Sequence, residues 1–138
     1  MSVPKSKRGE SKLEVLTKAR ELAKYTIKIC SNENCFPKRY RWCITHKIID
    51  TVLEITRFST MANAIYMGDK EHQKEDWALR RSYQTKALAD TYALLEMMDI
   101  AYQLFGIDGS KMSYWTGLVL EEQDLLRRWK KSDKERYE

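Results

Sequence analysis

The chain is poor in the residues that make turns. Its 138 residues include two prolines and five glycines, whereas a β-sandwich of this length needs a turn signal about every ten residues. Long apolar runs are missing too, and nothing approaches the roughly eighteen residues of a membrane span. The start, Met-Ser-Val-Pro-Lys-Ser-Lys-Arg-Gly, is basic but has no apolar stretch behind it, so no secretory signal is expected. Histidine occurs twice, and the three cysteines, Cys30, Cys35 and Cys43, form no CxxC pair. No zinc spacing can be written from that set. The cysteines read as reduced thiols of a cytoplasmic protein; the alternative is a disulfide that clips the first interhelical loop through Cys35. A Gly-rich phosphate loop, a nucleophile with a base, and a carboxylate–histidine metal set are all absent. An enzyme is therefore the weakest reading, and neither cofactor nor metal is expected.

What the chain does have is helical periodicity. Hydrophobic residues make up 43% and charged residues 33%, enough for the core and the surface of one domain. From Phe36 to Gly68 apolar positions recur at Tyr40, Ile44, Ile48, Val52, Ile55 and Ser59/Ala62, with Ile49, Leu53 and Ile65 alongside. That spacing of three and four is one face of a helix. Pro37 precedes the run and Gly68 follows it, as helix starts and stops favour. The expected helix is roughly 45 Å long.

A first helix is predicted from Lys12 to Ser31, opened by a Ser11–Glu14 capping box. Its inward stripe is Val15, Leu16, Ala19, Leu22, Ala23, Thr26, Ile27 and Cys30. A third helix should run from His72 to Phe105 and stop at Gly106. Its inward residues run from Trp77 through Arg80 or Arg81, Gln84, Ala87, Thr91, Leu94 and Met98 to Tyr102 and Phe105. A fourth should start at Ser110 or Ser113 and end at Lys131. Residues 1–10 are expected as a flexible basic arm, 11–131 as the bundle and 132–138 as a charged tail that frays. Connections of about five residues predict an all-α, up-down-up-down antiparallel four-helix bundle. Aromatics on more than one face (Tyr25, Trp42, Tyr66, Tyr83, Trp115) exceed what one interior needs and predict a homo-oligomer.

The net charge of +5 is uneven: residues 1–41 carry +7 and residues 42–138 carry −2. A concentrated basic surface favours a polyanion, either nucleic acid or an acidic protein; an ordinary solvated face is the alternative. Arg20, Lys24 and Lys28, four apart, share a helix face and repel one another mildly. Lys38, Arg39 and Arg41 interleave with Tyr40 and Trp42, so cations can hold phosphates while rings stack on bases. The competing reading puts Tyr40 in the core and Trp42 against another subunit. Lys38 and Arg39 also oppose the dipole of the helix they open. Arg127, Arg128, Lys130 and Lys131 surround Trp129 near a helix C-terminus, where they either complement the dipole or meet a partner. Asp50, Glu54 and Arg57 form an outer strip, and His46 is expected on the helix surface.

Several of these stretches together resemble a known family. Phe36-Pro37-Lys38-Arg39-Tyr40-Arg41-Trp42 opens the second helix, and Ile48-Ile49-Asp50-x-x-Leu53-Glu54-Ile55 is followed by Asn63-Ala64. Arg80–Gln84, then Leu94-Leu95-x-x-x-Asp99-x-Ala101, lie on the third helix, and the last helix ends near Trp129. Over roughly residues 12–131 the chain resembles the small four-helix-bundle family of the accessory variability protein of diversity-generating retroelements. That family also includes proteins encoded in intervening sequences of 23S ribosomal RNA genes. The resemblance implies a barrel-like homopentamer that binds a reverse transcriptase and nucleic acid, template RNA or cDNA, with little sequence preference. It would support mutagenic copying without being the polymerase. The motif match carries that role to Lys38, Arg39 and Arg41; for Arg20, Lys24 and Lys28 only charge and spacing speak. The alternative is a protein-only interaction module of the intervening-sequence type with an acidic partner. The acidic start of the third helix, Asp69 to Asp76, speaks against a nucleic-acid contact at that end.

Overall fold

A computed structural model describes the backbone of residues 5–138 and the side chains of residues 14–138. Four helices make up nearly all of it, with no strand among the described residues: α1 (Lys5–Cys30), α2 (His46–Ala64), α3 (Gln73–Phe105) and α4 (Gly109–Tyr137). α1 packs on α2 and α4, and α3 packs on α2 and α4. Cross-helix contacts fix the antiparallel order. The Thr56 hydroxyl donates to the Ala19 carbonyl at 3.4 Å, Trp115 Nε1 to Thr26 Oγ1 at 2.9 Å, and Gln123 Nε2 to Thr91 Oγ1 at 3.0 Å. The α1–α2 and α3–α4 connections therefore share one end of the bundle. The α2–α3 connection lies at the other, with the C-terminal turns of α4.

The boundaries differ from the expected ones in four places. α1 begins at Lys5 instead of Lys12, so Ser11 and Glu14 lie inside a helix already under way. The expected arm is helical from Lys5; residues 1–4 lie outside the described residues. Extending a formed helix is far easier than nucleating one, and Gly9 costs only about 1 kcal/mol. α2 is shorter than expected and enters through two irregular turns, a 3-10 turn over Lys38–Tyr40 and a π turn over Arg41–Thr45. It stops at Ala64, where Ile65 turns extended, because the chain must bury Met67 at 8% exposure. Gly68 is not left-handed; Gly106, at φ +63°, is. Finally, α4 continues to Tyr137, so the tail expected over 132–138 is helical and Asp133 is buried.

The α4 cap is Asp108, not Ser110 or Ser113. Its Oδ2 accepts the backbone N–H groups of Ser110 and Lys111 at 3.1 and 3.2 Å, satisfying two of the helix's unpaired donors. Asp108→Ala should cost about 1 kcal/mol, measured as a lower urea midpoint with unchanged slope.

Val15, Ala19, Leu22, Ile48, Val52, Ile55, Leu94, Met98, Trp115 and Leu126 form the centre of the core. Trp115 is fully buried, so it is no part of any surplus aromatic surface; Trp42 and Tyr66, at 75% and 76% exposure, are. On α1, Ile29 is buried and Ile27 exposed, the reverse of the expected stripe. On α2 and α3, Leu53 and Tyr102 also turn outward. Phe36 is buried and sets its ring against Phe105 and Trp115, at 5.6 and 5.9 Å between centroids. Tyr40 meets Phe105 at 5.1 Å. These rings tie the head of α2 to the tops of α3 and α4. All three cysteines are free thiols.

Candidate functional site

The expected cations fall into two groups at opposite ends. Lys24, Lys28, Lys38, Arg39 and Arg41 are exposed around the α1–α2 connection, with Arg20 one turn farther down α1. Arg127, Arg128, Lys130 and Lys131 sit beyond Trp115 on α4, roughly 20 Å away along the axis. The structure does not bring the two groups together.

Two of the second group are committed. Arg128 pairs with Asp124 at 3.1 Å, and Arg127 donates to the Tyr92 hydroxyl and to Gln123 Oε1. Trp129 is 4% exposed and lies in the core with the Arg80 guanidinium over its ring at 5.2 Å. It cannot face a partner. Arg127 and Arg128 are thus accounted for by local contacts, whereas Lys130 and Lys131 make no ion pair among the described residues, and all four lie more than a turn before the end of α4, beyond the reach of its dipole.

The first group is different. Arg20, Lys24, Lys28, Lys38, Arg39 and Arg41 make no ion pair among the described residues. Arg39 lies over the Tyr40 ring at 5.0 Å. Lys38 and Arg41 border a cleft of about 400 Å³ between the α1–α2 connection and the two turns that open α2. Phe36, Trp42, Thr45 and His46 also line it. The 3-10 turn leads into the π turn, where the His46 N–H bonds to the Arg41 carbonyl, five residues back. That widened turn sets Arg41, Trp42, Thr45 and His46 around one concavity. Thr45 is 7% exposed and its hydroxyl has no hydrogen-bond partner. His46 Nε2 sits 3.3 Å from Asp50 Oδ2, and its ring lies 5.5 Å from that of Trp42.

Sequence reasoning named Phe36, Lys38, Arg41 and Trp42 in one motif but missed Thr45 and His46 as their neighbours. It also missed Lys111, which α4 brings to the same end, its Nζ 3.9 Å from Cys35 Sγ. The outer strip of α2 holds Asp50, exposed and beside His46, and Glu54, which faces Asp90 on α3. Burial first, and then the Glu54 charge, push the Asp90 carboxyl up to about 7, so near neutrality Asp90 is only partly ionised. Burial, with Cys35 adding a smaller effect, pushes the Cys30 thiol up to about 12, which leaves it a poor nucleophile.

At the opposite end, Asp69, Glu71 and His72 gather their ligand atoms within 4.8 Å, all exposed. Their contacts are those of a turn leading into α3: Asp69 Oδ2 holds His72 Nδ1 at 2.8 Å, and Asp69 Oδ1 accepts the Glu71 N–H. No helix of the described residues is long and apolar enough to cross a membrane.

No family model, curated protein or solved structure matches the chain.

Proposed function

We propose that this chain is a non-enzymatic accessory protein of a diversity-generating retroelement. It binds nucleic acid, template RNA or cDNA, and a reverse transcriptase through the basic end of its bundle. The observation that carries the binding reading is the pairing of Lys38 and Arg41, without ion-pair partners among the described residues, with the exposed Trp42 at one cleft. The retroelement context rests on the helix-opening and packing motifs quoted above. The mechanism is electrostatic: lysines and arginines displace counterions from phosphates, so affinity falls steeply with salt. Among the described residues no element is built to enter a groove and read base edges, so sequence preference is slight.

Self-association belongs to the same proposal, with a homopentamer as the state the resemblance implies. Ala93 and Ile100 lie on one exposed line of α3, with Leu104 beyond them at 63% exposure and Leu79 on the far side of the exposed Lys86. Repetition of a weak basic patch around an oligomer multiplies its affinity for a long polyanion. The same apolar line favours the second reading, a protein-only module with an acidic partner.

Charge reversal of Lys38, Arg39 and Arg41 to Glu tests the first reading. The log–log salt slope for a single-stranded RNA should lose about 2 units, with helical content and solution mass unchanged. An affinity that barely moves with salt in the wild type, or a pull-down of the polymerase that survives nuclease and the triple reversal, would favour the protein-only module.

A further inference from the structure

We infer that the cleft at the head of α2 takes one unstacked nucleotide, so that the protein prefers single-stranded nucleic acid to duplex. The inference rests on the nucleic-acid reading above and assigns that site its substrate class.

Four observations converge. The cleft, at about 400 Å³, falls within the range of pockets that hold small ligands, whereas a duplex backbone needs only a flat strip of charge. Its lining combines both halves of a nucleotide's chemistry. Lys38 and Arg41 suit a phosphate, and the Trp42 indole offers ring surface for a base. Trp42 is 75% exposed, while Trp77, Trp115 and Trp129 are all buried. An indole so open to water at the mouth of a concavity gains most by stacking. The Thr45 hydroxyl, buried without a partner, adds an unmet hydrogen-bonding group to the same wall.

Polarity within the cleft orients the guest. Among the described residues, Glu33 is the one acid in the lining, and it repels a phosphate. The phosphate therefore belongs on the Lys38 and Arg41 side and the base edge toward Glu33. A base paired inside a duplex cannot enter, because its faces are already stacked. The irregular entry to α2 is the local cost of this shape: a π turn widens the helix where the cleft opens, and such insertions recur at functional positions.

The test measures anisotropy of a labelled short single strand and of a hairpin duplex with the same number of phosphates. It uses the full chain as wild type, Trp42→Ala, Trp42→Phe and the triple charge reversal. The single strand should bind the wild type at least ten-fold more tightly than the duplex. Trp42→Ala should cost the single strand about ten-fold and leave the duplex unchanged, and Trp42→Phe should keep most of the preference. Indole fluorescence should be quenched by the single strand and not by the hairpin.

Equal, salt-sensitive binding of both probes would overturn the nucleotide cleft and leave the basic-surface reading standing. Binding of neither would overturn both. Competition by polyglutamate as strong as that by an oligonucleotide of equal charge would overturn it in favour of an acidic protein. A change of solution mass in Trp42→Ala, with unchanged nucleic-acid affinity, would overturn it by placing Trp42 between subunits.

Discussion

Asp133→Ala is expected to destabilise the protein by about 3–5 kcal/mol, a fall in Tm of about 10–20 °C. Arg80 and Asp133 are each 1% exposed, and Arg80 Nε lies 2.8 Å from Asp133 Oδ2. Gln84 Nε2 donates to the same oxygen at 2.7 Å. Without that carboxylate a guanidinium is left in the core with only the Trp129 ring and no counter-charge. Its Nη2 already lacks a partner, and the neutral Gln84 amide can accept a hydrogen bond but cannot replace the lost charge. Removing both charges at once is different, because the cost of burying the pair disappears with it. Arg80→Met with Asp133→Leu should recover most of the loss. Urea midpoints at constant slope read both results. A loss below about 1 kcal/mol for Asp133→Ala would mean that the last turns of α4 are solvated in solution.

That ion pair shows where the sequence was opaque. Asp133 lies in a run of Lys, Glu and Arg that reads as a fraying tail, and its partner is more than fifty residues away, so no local pattern reveals the burial. The α2–α3 boundary failed for a related reason, since Met67 is held by tertiary burial that a helix-stop rule cannot see. α3, by contrast, was legible almost to the residue. Its period is unbroken from Trp77 to Ala101, and Gly106 takes the left-handed conformation that closes the helix.

The head of α2 was misread for an instructive reason. A 3-10 turn tightens the coil and a π turn loosens it, so their register errors offset. Tyr40, Ile44 and Ile48 keep the four-residue spacing of an uninterrupted helix, and the two turns leave no trace in the hydrophobic pattern. The cations and Trp42 are contiguous in sequence and could be named. Thr45 and His46 join them only through that turn geometry, so the cleft itself was not legible. Trp129 shows the converse. Flanking cations marked it as a candidate, while its place one helical turn beyond Leu125 and Leu126, on the same inward stripe, decided its burial.

Glu122→Gln should stabilise the protein above neutral pH and flatten its pH dependence. Glu122 is fully buried, and neither carboxylate oxygen has a hydrogen-bond partner. Burial pushes its carboxyl up to about 9 from 4.5, with Lys18 acting weakly the other way. Lys18 itself is held at the surface by Glu21 and Glu121, each at 3.2 Å. Below about pH 4.5 the folded and unfolded chains both hold the Glu122 proton, and its stabilising contribution is fully present. Between that pH and about 9 the unfolded chain releases the proton and the folded chain keeps it, so stability falls as pH rises. Even half of the shift is worth roughly 3 kcal/mol by pH 8. The amide carries no proton to lose, so the variant should match wild type near pH 4.5 and exceed it increasingly up to pH 8. Asp90, whose carboxyl is also raised, contributes a slope of the same sign below about pH 7 in both proteins and cancels in their difference. Urea midpoints at several pH values give the two curves. Parallel curves would show that Glu122 reaches water or Lys18 in solution, and that the middle of this bundle is less dry than its packing implies.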